Sequence, residues 1–518
     1  MVRRSLTLLV LLPVLLAGCK RTPETGAAPT GTPAAAATAD SSGALLFFSA
    51  DTRGYLGPCG CSENMRGGIA RAALQVMEAR KGPLPVLYID GGDSLFGEHT
   101  LKPFQVPQEE RKAQALAEAM KRMGLSVRAT GELDEVRGVA FRQSLGLPEL
   151  PAGGVKLLPA GPRTVGVVAA NDAAQLLQGS AQARSQGADF VVGLFHGAVE
   201  AAQAAVAQPG LEADLVLATH TASEFSGEEN KLVRGAVPLV ALQSKGRSLL
   251  RVDLSYAPQK GRFAPVKSQG DTDREAAALD QRMALLNKEI NLPGIDPQLH
   301  QLKQAKLEEL VARKQKLLTE PVANTAGTNS FTLRFLPLEA SLGNEPEVQA
   351  VVTAYDRDVG QMNLAWAKEH GQDCPAPKKG EAAFVGNGAC QDCHAEAFPV
   401  WEKSKHRHAW ETLEKAGKQF HLNCVGCHVT GYEQPGGVCR LDKVAGREDV
   451  GCESCHGPGS LHAEEPTPAN IVRNPGQALC VTCHNPENSP HFDFATYLPK
   501  VLGPGHGQPS SAAPGVKK

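Results

Sequence analysis

Four copies of the pattern Cys-x-x-Cys-His lie in the last quarter of the 518-residue chain. Two cysteines at this spacing can add to the vinyl groups of haem as thioethers, and the histidine that follows at once can bind the iron. Paired Cys-x-x-Cys motifs also bind zinc, but a zinc site has no need of a histidine at the same offset four times. The sequence therefore predicts four covalently attached haem c groups. The predicted attachment and proximal residues are Cys390, Cys393, His394, Cys424, Cys427, His428, Cys452, Cys455, His456, Cys480, Cys483 and His484.

The four motifs are crowded between Cys390 and His484. So short a stretch cannot build an ordinary hydrophobic core. We expect the porphyrins to form much of its interior and the region to be unfolded without haem. Haems at this density are close enough for electrons to pass between them.

Six further histidines in this region are candidate distal ligands: His406, His408, His421, His462, His491 and His506. Over about residues 384–495 the chain resembles the tetrahaem cytochromes that accept electrons from hydroxylamine oxidoreductase. The strings that carry the resemblance are CQDCHAEAFPVWEKSKHRHAW, CVGCHVTGY, GCESCHGPGSLH and CVTCH. The resemblance implies that His406 and His462 are distal ligands and makes His408 a neighbour.

The other distal candidates rest on position alone. His421 and His491 are candidates for the remaining haems, and we expect His506, in a Gly/Pro tail, to be solvated. Bis-histidine ligation would favour low-potential electron transfer, whereas a five-coordinate haem would bind a small molecule. The sequence leaves both states open.

A second group of polar residues follows predicted strands in the first half of the chain. These residues are Asp51, Asp93, His196 and His220. They lie where open α/β sheets place their ligands. Carboxylate and imidazole groups at such an edge can bind a divalent metal.

Over about residues 44–255 the chain resembles metallophosphoesterases of the 5′-nucleotidase kind. The strings FFSADTRGYLGPCGC, LYIDGGDSLF, GADFVVGLFHG and ADLVLATHTA occur in that family's order. Those enzymes hold two metals, which activate water and stabilise the phosphoryl oxygens. Here Arg53 replaces the first histidine of the family's Asp-x-His, Ala222 replaces the last of Gly-His-x-His, and residues 129–132 stand where Asn-His is expected.

The resemblance therefore implies an eroded metal site. One metal position keeps only Asp51 and Asp93, beside a guanidinium that repels a dication. The other keeps Asp93, His196 and His220, so one divalent metal is chemically feasible. We expect a phosphoesterase-like domain that is inactive, with an altered or metal-free site.

The elements that must position these residues are predicted from short apolar runs alternating with helical stretches. Strands are predicted at 44–50, 86–89, 164–169, 190–195, 215–218 and 239–243, and helices at 69–80, 107–123, 173–186 and 199–207. The alternation predicts a sheet covered on both faces. The fold class is thus an α/β metallophosphoesterase-like sandwich, a helical hairpin and a mostly α/irregular multihaem cytochrome c domain.

The domain boundaries follow from composition. We predict a lipoprotein signal peptide at 1–18, a flexible stalk at 19–43, the α/β domain at 44–270 and a helical hairpin at 271–320. A strand and a helix at 321–370 would pack on the α/β domain, the tetrahaem domain would span 371–502, and a disordered tail would span 503–518. The hairpin is interpreted as plain packing, with a partner-binding arm as the alternative.

The N-terminus predicts the compartment. Arg3 and Arg4 precede a short apolar run that ends in Leu16-Ala17-Gly18-Cys19, which resembles a bacterial lipobox. That resemblance implies lipidation of Cys19 and anchoring of the chain to a membrane. Lys20 favours an outer-membrane lipoprotein on the periplasmic side over an inner-membrane one.

Charge and the remaining cysteines complete the prediction. The chain has 53 Lys+Arg against 55 Asp+Glu, which argues against a nucleic-acid partner. Cys59 and Cys61 could bind a metal, pair with each other or pair elsewhere. Cys374 and Cys439 could form a disulfide in the oxidising envelope.

Three functions compete. The first is electron transfer with a periplasmic or membrane redox partner, the α/β domain being a scaffold or docking surface. The second is a haem enzyme acting on a small nitrogen or sulfur species, and the third is an active metal-dependent phosphoesterase. We favour an electron carrier over a catalyst.

Overall fold

The fold is described from a computed structural model. It describes residues 42–59, 65–220, 230–267, 269–291, 297–319, 327–485, 488–489 and 492–506. The predicted signal peptide, Cys19, Cys61, Ala222, His491 and residues 507–518 lie outside these ranges. Among the described residues, no helix is both long and apolar enough to cross a bilayer.

The strands belong to the first two thirds of the chain. They are β1 Gly43–Ser49, β2 Pro58–Cys59, β3 Arg66–Gly67, β4 Val86–Asp90, β5 Leu125–Ala129, β6 Glu149–Leu150, β7 Val155–Ala160, β8 Arg163–Ala170, β9 Phe190–Phe195, β10 Leu215–Ala218, β11 Lys231–Val233, β12 Leu239–Ala241, β13 Ser248–Ser255, β14 Ala264–Pro265 and β15 Ser330–Pro337.

The longer helices are α1 Ile69–Arg80, α2 Val106–Arg122, α3 Gly138–Ser144, α4 Ala173–Ser185, α5 Val199–Val206, α6 Gln269–Ile290, α7 Pro297–Thr319 and α8 Pro346–His370. Short helices follow: α9 Gly388–Gln391, α10 Phe398–Glu402, α11 Ala409–Lys415, α12 Leu422–His428, α13 Cys452–His456, α14 Ser460–Glu464, α15 Gln477–Cys480 and α16 Phe494–Tyr497.

The strands form two mixed sheets packed face to face. One sheet has the order β14-β15-β13-β1-β4-β5-β6 and the other β11-β12-β10-β9-β8-β7. Because side chains alternate along a strand, Leu46 and Phe48 of β1 point into the core between the sheets, whereas Leu45 and Phe47 point to the helical side. Helices α1, α2 and α8 cover the outer face of the first sheet, and α4 and α5 cover that of the second.

The predicted fold class is confirmed. Each sheet is covered on both faces, as predicted, with helices on one face and the other sheet on the second. A strand that is apolar on both faces looks the same under either cover, so the pattern could not separate them. Helices α6 and α7 form the predicted hairpin around a small apolar cluster that includes Leu279, Leu310 and Leu317.

Helix α8 joins the α/β domain to the haem-motif region within one compact unit. Its first turns pack Val348, Val352 and Val359 against α1 and α2. Its last turns pack Leu364 and Ala367 against the region of the second Cys-x-x-Cys-His motif. Beyond α8 the chain contains only short helices and turns.

Candidate functional site

Asp93, His196 and His220 converge at the carboxyl ends of β4, β9 and β10. Asp93 is fully buried, and its Oδ2 lies 2.8 Å from His220 Nδ1 and 3.7 Å from His196 Nδ1. One ligand atom from each residue lies within 4.8 Å of the other two. His196 Nδ1 is buried and has no hydrogen-bond partner among the described residues. An imidazole nitrogen left in this way fits a metal ligand.

The loop that carries Asp93 is held by a residue that the sequence analysis missed. Asp134 is fully buried and accepts hydrogen bonds from the backbone N–H groups of Asp93, Ser94 and Leu95 at 2.9–3.0 Å. Asp134 also pairs with the buried Arg128 at 2.6 Å. In the sequence, Asp134 is recognisable only as an acidic residue in the segment that follows a strand. Such residues are too common to indicate a structural role.

The backbone at this site adopts a conformation that is rare outside glycine. Asp51, Arg53 and Asp93 have φ values of 51°, 51° and 52°. Non-glycine residues with positive φ cost free energy and cluster at functional sites. The geometry of a ligand-binding loop is therefore retained in this chain.

The two-metal pattern is nevertheless broken. Arg53 Nε donates to Asp51 Oδ1 at 2.7 Å, so a guanidinium engages the first aspartate. A Cβ on Gly131 would lie 2.0 Å from Asp93 Oδ1, so no ligating side chain can occupy that position. Three of the four predicted residues come together as possible ligands of one metal, and Asp51 is turned to Arg53.

Charge coupling supports this arrangement. Burial raises the pKa of Asp93, but the hydrogen bond with His220 and the nearby His196 outweigh it and leave the pKa below its usual value. The same hydrogen bond raises the pKa of His220. Asp93 is thus ionised at neutral pH and able to bind a cation.

The Cys-x-x-Cys-His motifs are built on single helical turns. His394 and His484 donate their backbone N–H to the carbonyls of Cys390 and Cys480 at 3.0 and 2.9 Å. In a helical turn, residues three and four apart lie on one face. Each turn therefore presents its cysteines and its histidine to a common side.

Hydrogen bonds fix the ring orientation of several histidines. His428 Nδ1 lies 2.6 Å from the Ala409 carbonyl and His456 Nδ1 lies 2.7 Å from the Val472 carbonyl. His462 Nδ1 lies 3.0 Å from the Thr467 carbonyl. Since a carbonyl only accepts, each Nδ1 carries the proton and Nε2 is left with its lone pair, the arrangement typical of a metal-bound histidine.

Two proximal histidines each face a histidine from a distant segment. The ring centroids of His394 and His462 are 6.2 Å apart, and those of His406 and His484 are 6.1 Å apart. With metal–imidazole bonds of about 2 Å, two rings on opposite sides of one metal have centroids about 6 Å apart. Burial lowers the pKa of His406 and of His484, which favours the neutral ligand form. These residues fit bis-histidine haem ligation.

Cysteines of different motifs also lie side by side. Cys390 lies within hydrogen-bonding reach of Cys452, and Cys427 within reach of Cys483. Cys455 is close to both cysteines of the fourth motif. The third motif therefore neighbours the first and the fourth, and the fourth neighbours the second; the second also lies beside the third, since Thr430 Oγ1 is 3.0 Å from Ser454 Oγ.

The remaining distal candidates have different surroundings. His421 is buried, and its Nε2 lies 3.0 Å from the Asp356 carbonyl. His408 is exposed beside Glu411. His506, expected to be solvated, is half-buried: its Nδ1 is buried without a hydrogen-bond partner among the described residues, and burial lowers its pKa, with smaller contributions from the nearby His456 and His394. The tail folds back because Gly503 and Gly505 pack closely on Val400 and Ala397.

The described residues contain one disulfide, between Cys374 and Cys439. It uses none of the eight motif cysteines, and it realises the pairing that the sequence left open. The sequence analysis missed Glu453, inside the third motif, which is buried and accepts backbone hydrogen bonds from Val385, Gly386 and Gly459 at 2.7–2.9 Å. Its long-range partners have no signature in the sequence.

Comparison with known proteins agrees with the haem motifs. Residues 389–457 match the family described as cytochrome c554 and c-prime, and residues 444–489 match the doubled CXXCH motif. Cytochrome c-554 of Nitrosomonas europaea is 36% identical over 94 residues, which is 15% of this chain and 40% of that protein. The chain thus spans less than half the length of this curated relative. The prediction of a multihaem c-type cytochrome region is confirmed.

Two solved structures show a low overall similarity to the chain. The Thermus thermophilus sulfate thiohydrolase SoxB in complex with glycerol is 16% identical, with a TM-score of 0.39 over 64% of this chain and 62% of that one. A putative 5′-nucleotidase from Staphylococcus aureus is 14% identical, with a TM-score of 0.41 over 72% and 66% of the two chains.

Proposed function

We propose that the chain is an envelope-anchored tetrahaem c-type cytochrome that transfers electrons, with an α/β domain that no longer hydrolyses phosphoesters. The observation that carries this proposal is the pairing of His394 with His462 and of His406 with His484 at about 6 Å. Each pair joins segments far apart in sequence. Plain packing gives no reason for two such pairs beside two attachment motifs.

The chain's own residues bind and orient the cofactor. The motif cysteines would hold the haems as thioethers, and His428 and His456 would present Nε2 to iron because Nδ1 is committed to a carbonyl. When bound, haem supplies a one-electron iron couple whose potential depends on ligands, hydrogen bonds and exposure. The contacts between neighbouring motifs would bring their haems close enough to exchange electrons.

Haem content tests the count. Mass spectrometry of the denatured holoprotein is expected to find four covalent haems. Replacing both Cys452 and Cys455 by serine should remove one haem, whereas replacing Cys374 and Cys439 should remove none. Fewer than four haems in the wild type would overturn the proposal.

Redox behaviour tests electron transfer against haem catalysis. A potentiometric titration followed by optical and paramagnetic-resonance spectra should account for four one-electron steps, with low-spin signals for the irons of the two paired sites. Turnover of hydroxylamine or nitrite at those sites would instead indicate a haem enzyme.

The envelope location belongs to the same proposal. The lipobox-like sequence supports processing at Cys19, lipidation and an outer-membrane position facing the periplasm, where a membrane or periplasmic redox partner would exchange electrons. A Cys19→Ser variant should lose acyl label and leave the membrane fraction. Unchanged fractionation of that variant would contradict lipid anchoring.

We also propose that Asp93, His196 and His220 bind one divalent cation. The buried, unpartnered His196 Nδ1 and the ionised Asp93 support this. Hydrolysis of a nucleotide ester is not expected, because Arg53 engages Asp51 and Gly131 excludes another ligand. Calorimetric titration with Mn²⁺ should show one binding site that is lost in His196→Ala. Hydrolysis of a phosphoester by the purified protein would instead support an active phosphoesterase.

A further inference from the structure

The second haem motif differs from the others in what surrounds it. Val425, between the two cysteines of this motif, is fully buried in an apolar cluster with Leu364 and Ala367 of α8. The corresponding residues of the first and fourth motifs are exposed: Gln391, Asp392, Val481 and Thr482. The third motif buries Glu453, whose hydrogen bonds stay within the C-terminal region. Only the second motif, within the described chain, thus packs its central residue on α8.

A buried polar clamp lies beside this contact. The side chains of Gln108 on α2 and Asn363 on α8 are 1% and 3% exposed. Asn363 Nδ2 donates to Gln108 Oε1 at 2.8 Å and to the Phe420 carbonyl at 2.7 Å. The Leu422 backbone N–H donates to the same Gln108 oxygen at 3.1 Å. Two amide side chains of the α/β domain therefore hold the backbone on both sides of His421.

His421 is held by the same helix. Its Nε2 lies 3.0 Å from the Asp356 carbonyl, and its ring makes an edge contact with Tyr355 at 5.9 Å. The segment from Phe420 to Leu422 leads directly into α12, which carries Cys424, Cys427 and His428. A buried amide that loses its partner keeps the full cost of its desolvation, so this segment has little freedom to shift.

We propose that Gln108 and Asn363 are positioning residues for the second haem, through which the α/β domain sets that haem's reduction potential. The inference rests on the proposed function, since it requires haem at Cys424, Cys427 and His428. Potential depends on solvent exposure and on the orientation of the axial histidine. The clamp acts on both, because it fixes the start of the helix that ends in His428.

The test compares holoprotein variants on one helix. Gln108→Leu removes the acceptor of both hydrogen bonds. Gln114→Leu makes the same change at an exposed position of α2 and is the matched control. Potentiometric titration resolves the haem components, and paramagnetic resonance reports axial-ligand orientation.

We expect Gln108→Leu to change the oxidised-to-reduced ratio of one haem, the second, by about tenfold at a fixed potential. This change is equivalent to a shift of 59 mV in the reduction potential of a one-electron couple. The other three components should stay in place, and Gln114→Leu should be silent. In a background that lacks Cys424 and Cys427, the shift should disappear. No shift, or equal shifts of all components, would overturn the proposal.

Amide hydrogen exchange of the wild-type protein tests the same contacts without a variant, so the proposal can be refuted even if Gln108→Leu fails to fold. The Leu422 amide should exchange as slowly as the amides of α2, and exchange at the rate of an exposed loop would refute the clamp. Fewer than four haems in the wild type would instead count against the proposed function, so the two failures are distinguishable.

Discussion

Glu453 offers a sharp test of how the haem-motif region is held together. Its Oε1 accepts from the backbone N–H groups of Val385 and Gly459, and its Oε2 accepts from that of Gly386. Glu453→Gln keeps one oxygen but turns an N–H₂ group toward the Gly386 donor. One charge-assisted bond is lost, and a buried N–H is left facing another donor.

The expected loss follows from these contacts. Hydrogen bonds to charged groups contribute about 1.5–3 kcal/mol, and an unsatisfied buried donor costs roughly 1–3 kcal/mol. Since one bond is removed outright and two are weakened, we expect about 3 kcal/mol of destabilisation. Haem-intact protein would be unfolded in guanidinium and followed by the Soret band. Glu464→Gln, at an exposed position nearby, is the control and should change stability by less than about 0.5 kcal/mol.

An unchanged midpoint in Glu453→Gln would refute the reasoning, because it would mean that the three backbone donors find other partners. A midpoint shift accompanied by a changed denaturant slope would point to an altered unfolded state instead. Equal shifts in Glu453→Gln and Glu464→Gln would assign the effect to charge alone.

Three further predictions follow from the described contacts. Replacing Cys374 and Cys439 by alanine opens a loop of 65 residues and should destabilise the region by up to about 4 kcal/mol in chemical unfolding, with all haems retained. In chelator-treated protein, the pKa of His220 is raised in the folded state. The resulting stabilisation is complete below the unfolded-state pKa of about 6.5 and is lost as the pH rises through the higher folded-state pKa. His220→Gln should therefore make the thermal unfolding midpoint depend less on pH between about pH 6 and 8. Gly131→Ala should lower the free energy of unfolding by about 1–3 kcal/mol and abolish Mn²⁺ binding, because the new Cβ would lie 2.0 Å from Asp93 Oδ1. Unaltered Mn²⁺ binding in calorimetry would contradict this steric argument.

Local patterns predicted the elements of the α/β domain well. The helix at 69–80 and the strands at 190–195 and 215–218 have the bounds that were expected. Each combines an apolar run with a clear break at its ends, so local information is sufficient. The choice between a helix and a second sheet as cover depends on contacts between distant segments, which local patterns do not predict.

The candidate sites were predictable where the chemistry is written in consecutive residues. A Cys-x-x-Cys-His motif needs one helical turn. Helices α12 and α13 contain the second and third copies, and in the first and fourth copies a hydrogen bond from the histidine N–H to the first cysteine carbonyl closes the turn. The supporting groups were not predictable, because the carbonyls of Ala409 and Val472 act through backbone position rather than side-chain type. The partial burial of His506 was not predicted for the same reason: it arises from the fold of a Gly/Pro segment onto residues more than a hundred positions earlier.

Backbone strain at Asp93 is held in place by contacts that do not involve a metal. The positive φ values of Asp51, Arg53 and Asp93 persist only where the surroundings over-determine them. Asp134 does so with hydrogen bonds to the loop and an ion pair to the fully buried Arg128, none of which needs a metal. The loop geometry is thus part of the α/β fold and by itself is no evidence of hydrolysis. What this fold adds to the haem-motif region lies at α2 and α8, whose side chains hold the segment that leads into the second motif.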